Sequence, residues 1–228
     1  MSSSTSQPFT ALLTETGWLD SLSPELRVIV SIASLTFIPL LVIAMTAFTR
    51  IIIVLSILRQ ALGLQQTPPN SVLIALTLFL TIFAMHGVFA QINLSAVTPF
   101  FAQEIGFGEA IANAIQPLKT FMLAQTHESH FYRVLEMVNA PPPATPEEVE
   151  LTHLVPAFML SELNLAFKMA FMVFLPFLLI DLVVASCLMA LGMIMVPPIT
   201  VSLPLKIMVF VMIDGWTLIA GSLVQSFS

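Results

Sequence analysis

Residues 175–198 read LPFLLIDLVVASCLMALGMIMVPP. One acid, Asp181, interrupts an apolar run that begins near Pro156 and stops at Pro197-Pro198, where a helix cannot continue. A segment from about Pro156 to Val196 is too long for one simple crossing of a hydrocarbon layer, and Pro176 predicts a bent or broken element. Beyond the prolines, Pro204 is expected to open one further helix, from about Leu205 to Val224. These two segments form a helical hairpin over 154–228.

The same pattern holds upstream. Twenty-two uncharged residues separate Arg27 from Arg50, and forty-four separate Arg59 from Glu104. The first predicts a helix from about Val28 to Leu58, the second one from about Val72 to Ile92, with a turn at Thr67-Pro68-Pro69-Asn70. They make a first hairpin over 28–92, preceded by a polar segment over 1–27. Met1 to Thr16 lack the basic start, apolar stretch and small-residue site of a cleavable signal.

Between the hairpins, residues 93–153 carry seven acids against Lys119 and Arg133, a net charge of −5, and the proline-rich run APPPATPEE over 140–148. This is an extramembrane insert. Apolar spacing over Glu109–Phe121 and His130–Val138 predicts two short amphipathic helices inside it. The fold class is thus an all-α, membrane-type protein: two long helical hairpins with kinked helices, separated by an acidic insert. Arg50 and Arg59 flank the first hairpin turn and Lys206 the second, so the excess of basic residues on cytoplasmic loops puts the insert and both termini on the periplasmic side.

Composition narrows the function. Only 9% of the 228 residues are charged, 57% are hydrophobic, and the mean hydropathy is +0.99. Seven basic residues against thirteen acidic ones leave no face to follow a nucleic-acid backbone. The lone Cys187 excludes an intrachain disulfide. His127 and His130 can share a helix face but lack the further ligands of a metal site. With no phosphate-binding glycine loop and no nucleophile motif, neither an enzyme nor a cofactor is expected.

Charges inside apolar segments are costly and usually face a partner or a wet cavity. Glu162, Lys168, Asp181, Lys206 and Asp214 are such groups, and no acid among them has a base three or four residues away. Their pairing must be between helices or between subunits, and Asp181 and Asp214 lie deepest in their runs. Eight of thirteen methionines follow the insert, including Met193 and Met195.

Particular strings resemble a known family. FTRIIIVL over 48–55, LRQALG over 58–63 and PPN over 68–70 resemble the first hairpin of the FliP/SctR export-gate family of type III secretion systems. LPFLLIDLVVAS over 175–186, GMIMVPP over 192–198 and Asp214-Gly215-Trp216 through Gly221-Ser222-Leu223 are similar to its second. The resemblance implies a structural subunit, pentameric with other copies of itself, that encloses a pore with FliQ and FliR in the inner membrane and flagellar basal body. FlhB, FlhA and the basal-body ring are further implied partners, with unfolded flagellar proteins in transit. It implies that the complex sits largely above the membrane plane, that Glu162 and Lys206 form an inter-subunit ion pair, and that Met193, Ile194 and Met195 form a gasket closing the idle pore. Ile194 departs from the family pattern, where methionine is frequent. The homologous virulence injectisome subunit is the alternative, favoured against by the sizeable acidic insert. A secondary transporter is a distant one, since the two halves share no sequence similarity.

Overall fold

The computed structural model describes residues 23–26, 29, 40, 41 and 43–227. Among these every regular element is helical: α1 (Phe48–Ala61), α2 (Asn70–Ala84), α3 (His86–Ile92), α4 (Thr98–Phe101), α5 (Phe107–Gln125), α6 (Glu128–Val138), α7 (Leu151–Ala190), α8 (Ile199–Met212) and α9 (Gly215–Gln225). A π-helical stretch, Asn93–Val97, joins α3 to α4, and a 3₁₀ turn, Pro146–Glu148, precedes α7. The expected N-terminal segment over 1–27 and the start of the first long helix fall almost wholly outside the described residues.

The chain forms two compact units, each built from two stretches: Met1–Thr46 with His86–Met159, and Ala47–Met85 with Leu160–Ser228. The sequence reading divides the chain linearly instead, because hydropathy shows where runs end and not which runs pack together. α7 begins in the first unit and continues into the second.

In the second unit, α1 buries Ile51, Val54, Leu55 and Leu58 completely or nearly so, the spacing of a helix face turned to a core. It ends where Gly63 adopts φ +78°, a left-handed conformation that lets Gly63 N–H donate to Gln60 O and Leu64 N–H to Arg59 O. Arg59 then closes the turn by donating from Nη1 to Pro68 O and to Asn70 Oδ1 at 2.7 Å. α2 packs on α1. Its buried Thr77 and Thr81 donate their hydroxyls back to Leu73 O and Thr77 O, so neither brings an unsatisfied polar group into the apolar interior.

α7 has 40 residues, about 60 Å at 1.5 Å per residue. It starts at Leu151, ahead of the expected Pro156, and runs without a break through Pro176. Of the bent or broken element expected at Pro176, the break is absent: the helix is continuous. It stops at Ala190, short of Val196, because Gly192 at φ +74° turns the chain: Gly192 N–H donates to Met189 O and Met193 N–H to Leu188 O.

The last expected helix is two. Pro204 lies inside α8 and does not open it; the start is set by Pro197-Pro198, and Thr200 Oγ1 donates to Pro197 O. α8 and α9 meet at a 64° bend, where Asp214 takes the left-handed φ of 51°. Phe210 stacks edge-to-face on Trp216 across this bend, with ring centroids 5.3 Å apart, and tilts against Phe177 of α7.

In the first unit, α5 and α6 stand where the two amphipathic helices are expected, a few residues longer. Asn139, left-handed at φ 53°, ends α6. The core includes Met122, Leu135, Leu154 and Phe158, with Phe121 edge-to-face on Phe158.

Among the described residues, α7 is the one single helix long and apolar enough to cross a membrane. Residues 70–101 and 199–225, each an interrupted helix, pass the same test as pairs.

Candidate functional site: buried charges and an exposed apolar loop

Arg50 and Glu162 are fully excluded from solvent. Arg50 Nε donates to Glu162 Oε2 at 2.8 Å and Nη2 to Oε1, a two-pronged contact matching the planar guanidinium to the carboxylate. Nη1 donates to the backbone and hydroxyl oxygens of Ser226, both at 3.0 Å, and the guanidinium carbon lies 3.7 Å from the centre of the Phe227 ring. One side chain on α1 thereby holds α7 and the residues that follow α9.

The second charged centre lies at the other end of α1. Lys206 on α8 donates from Nζ to Asp181 Oδ2 on α7 at 2.5 Å and to Ala61 O at 3.0 Å. Ala61 is the last residue of α1, where unpaired carbonyls leave a partial negative charge, so the ammonium meets a carboxylate and a helix C-terminus together. The Lys206 side chain is 6% exposed and that of Asp181 43%.

Glu162 and Lys206, expected to pair between subunits, each have an opposite charge within their own chain. Asp181 is only half-buried, and Asp214 is exposed at the start of α9. Neither is a buried charge within the chain. Lys168 is exposed on α7. His127 and His130 stand with ring centroids 6.1 Å apart, and among the described residues no group of three or more His, Cys, Asp or Glu could hold a metal.

Arg50 is the residue that the sequence reading misses. Flanking the first hairpin turn, it reads as a loop charge that orients the chain, yet it lies inside the first apolar segment, the signal that singles out Glu162. Lys206, at the second turn, reads likewise and is also buried. A base neutralised inside the protein says nothing about which side of a membrane holds its loop, so Arg59 alone of the three still votes.

Met193, Ile194 and Met195 occupy the loop between α7 and α8, exposed to 44%, 85% and 95%. The Gly192 turn and Pro197-Pro198 bracket them, so three consecutive apolar side chains project from a short loop whose ends are fixed. Such a surface is unfavourable in water and calls for an apolar neighbour or a confined space.

A family model described as FliP family matches residues 31–223. The chain is 51% identical over 203 residues to "Flagellar biosynthetic protein FliP" of Pectobacterium carotovorum subsp. carotovorum, covering 89% of this chain and 79% of that protein. It is 50% identical to the protein so named in Cereibacter sphaeroides, covering 89% and 67%. To that of Bacillus subtilis (strain 168) it is 44% identical over 208 residues, covering 91% and 94%.

Proposed function

The chain belongs to the FliP family, and on that premise we propose that it is a structural, pore-forming subunit of the flagellar type III protein export gate, passing unfolded flagellar subunits and sealing the pore when idle. Its place in flagellum biogenesis and export follows from the family, and its long apolar helix fits a membrane protein. The pore, the pentamer, the contacts with FliQ, FliR, FlhB, FlhA and the basal-body ring, and a periplasmic insert with periplasmic termini belong to the proposal. No catalytic role is assigned; the relatives are named as biosynthetic proteins.

The observation that carries this reading is the loop Met193-Ile194-Met195, apolar and exposed at the end of α7. In a ring of subunits one such loop from each converges on the axis as a collar. A narrow apolar collar excludes ions by dewetting, and unbranched thioethers move aside for a chain and close around it. Replacing Met193, Ile194 and Met195 together by alanine is expected to leave the complex assembled but make the membrane leak small ions. An assembled triple variant that stays ion-tight would place the closure elsewhere.

The inter-subunit contact between Glu162 and Lys206 is also part of the proposal. Because each has an intrachain partner, it requires an exchange of partners when subunits meet.

A further inference from the structure

In the unit containing His86–Met159, α6, the start of α7 and the chain that links them line a cavity of about 240 Å³. Phe131 and Leu135, one turn apart on α6, line it together with Pro141, Pro142, Pro143 and buried Val149. Glu148, Glu150 and His153 are its titratable side chains, and no Lys or Arg reaches it.

Three successive prolines have φ fixed by their rings, so that part of the lining is stiff before anything binds. Each carboxylate has one oxygen engaged. Glu148 Oε2 accepts from the Ala144 N–H at 2.9 Å, and Glu150 Oε2 from the Thr152 hydroxyl at 3.0 Å. His153 Nδ1 lies 4.0 Å from Glu150 Oε2, too far for a hydrogen bond. The other oxygen of each carboxylate makes no hydrogen bond among the described residues. The start of α7 adds about half a positive charge nearby, against two full negative ones. The cavity is therefore apolar over much of its lining and negative in sign.

We propose that this cavity receives a basic side chain, the ammonium of a lysine or the guanidinium of an arginine, from a partner protein that docks on the acidic insert. Such a side chain has both properties the lining asks for: an apolar stem to lie against Phe131, Leu135 and the prolines, and a cationic head to meet Glu148 and Glu150. A wholly apolar group would take water from the two carboxylates and return nothing. An anion would be repelled by them. A metal ion is excluded by its need for ligands, since no group of three or more His, Cys, Asp or Glu among the described residues could hold one. The setting favours the same partner. Residues 93–153 carry seven acids against Lys119 and Arg133, a field that draws a basic surface toward the insert. The inference stands on the cavity and does not depend on the export role.

The test uses the full-length chain in detergent micelles, the peptide acetyl-Gly-Lys-Gly-amide and a water-soluble carbodiimide. The carbodiimide activates a carboxylate, and a lysine amine held against it displaces the urea to form an amide, which mass spectrometry locates. Coupling at Glu148 or Glu150 is expected to exceed coupling at Glu109 and Glu128, exposed acids of the same insert, by about tenfold, close to what burying two methylene groups adds to affinity. The matching arginine peptide, which cannot couple, is expected to suppress the excess, and the Nε-acetyllysine peptide to leave it intact. Ala140→Leu, which adds bulk to the lining and leaves both carboxylates in place, is expected to abolish the excess at unchanged Tm. Equal coupling at all four glutamates overturns the proposal, and that comparison needs no variant. An excess that survives in folded Ala140→Leu also overturns it, because exposed carboxylates alone would then account for the coupling. Suppression by spermidine at lower concentration than by the arginine peptide overturns it too, by assigning the cavity to a free polyamine.

Discussion

Arg50 and Glu162 join α1 to α7 through two parallel hydrogen bonds, with both side chains entirely out of water. Removing either partner strands a charge in an apolar interior, which costs about 3–5 kcal/mol, whereas removing both leaves none. Arg50→Leu and Glu162→Leu are each expected to lower the Tm in detergent by more than the double variant does. Arg50→Lys is expected to recover little, because an ammonium cannot span both carboxylate oxygens and Ser226. A double variant as unstable as the worse single one would show that the pair contributes its packing and not its charges.

The two charged centres give a sharp prediction for double reversal. Glu162→Lys with Lys206→Glu sets a lysine against Arg50 and a glutamate against Asp181, so the isolated subunit is expected to be less stable than either single variant. If Glu162 and Lys206 meet between neighbouring copies, the reversed pair still attracts there, and yield of the purified complex is expected to recover partly despite that loss. Complex yield that falls in step with subunit stability would confine both charges to their intrachain pairs.

The proposed orientation rests on seven acids against two bases over residues 93–153 and on Arg59 at the end of α1, beside the first hairpin turn. Single cysteines at Glu109 and Glu148, both exposed, in a Cys187→Ser background are expected to react with a membrane-impermeant thiol reagent in intact spheroplasts. Labelling seen only after lysis would invert the topology.

At the bend between α8 and α9, any Cβ added to Gly215 overlaps the Phe210 ring. Gly215→Ala is expected to destabilise by about 1–3 kcal/mol, as overpacking does, and Phe210→Leu in the same chain to return part of it. Asp214→Gly is expected to be tolerated, while Asp214→Val costs about 1–2 kcal/mol for a β-branched residue at positive φ. Unfolding temperatures of the four variants check both claims. A Gly215→Ala variant with unchanged Tm would mean that the ring is not held against the backbone.

The helices of the insert and the apolar runs are legible in the sequence because periodicity and charge-free length report burial directly. What escaped it follows from the same fact. Hydropathy cannot distinguish Pro176, carried inside a continuous helix, from Pro197-Pro198, which ends one; the difference lies in Gly192 just upstream, which provides the left-handed turn. The α8–α9 bend has one local signal, the turn dipeptide Asp214-Gly215, whose aspartate tolerates positive φ, but the apolar residues on both sides read as one uninterrupted helix. Intramembrane charges are legible in the sequence but their partners are not, because Arg50 and Glu162 stand 112 positions apart and no spacing rule reaches that far. The loop Met193-Ile194-Met195 was visible by resemblance, and its composition alone is that of an ordinary helix end.

α7 carries both acids, Glu162 and Asp181, nineteen residues apart, or about 28 Å along its axis. Glu162 is answered by Arg50 near the start of α1, and Asp181 by Lys206 of α8, which is itself tied to the end of α1 through Ala61 O. Two anchors that far apart index the helix the way two pegs fix a ruler: a slide of one turn or a rotation by one residue unseats both together. The register of α7 against α1 is thus a discrete setting. Whatever widening takes place at the loop α7 carries is left to the rotamers of Met193 and Met195 and to the short backbone between Gly192 and Pro197, a soft tip on an indexed rod.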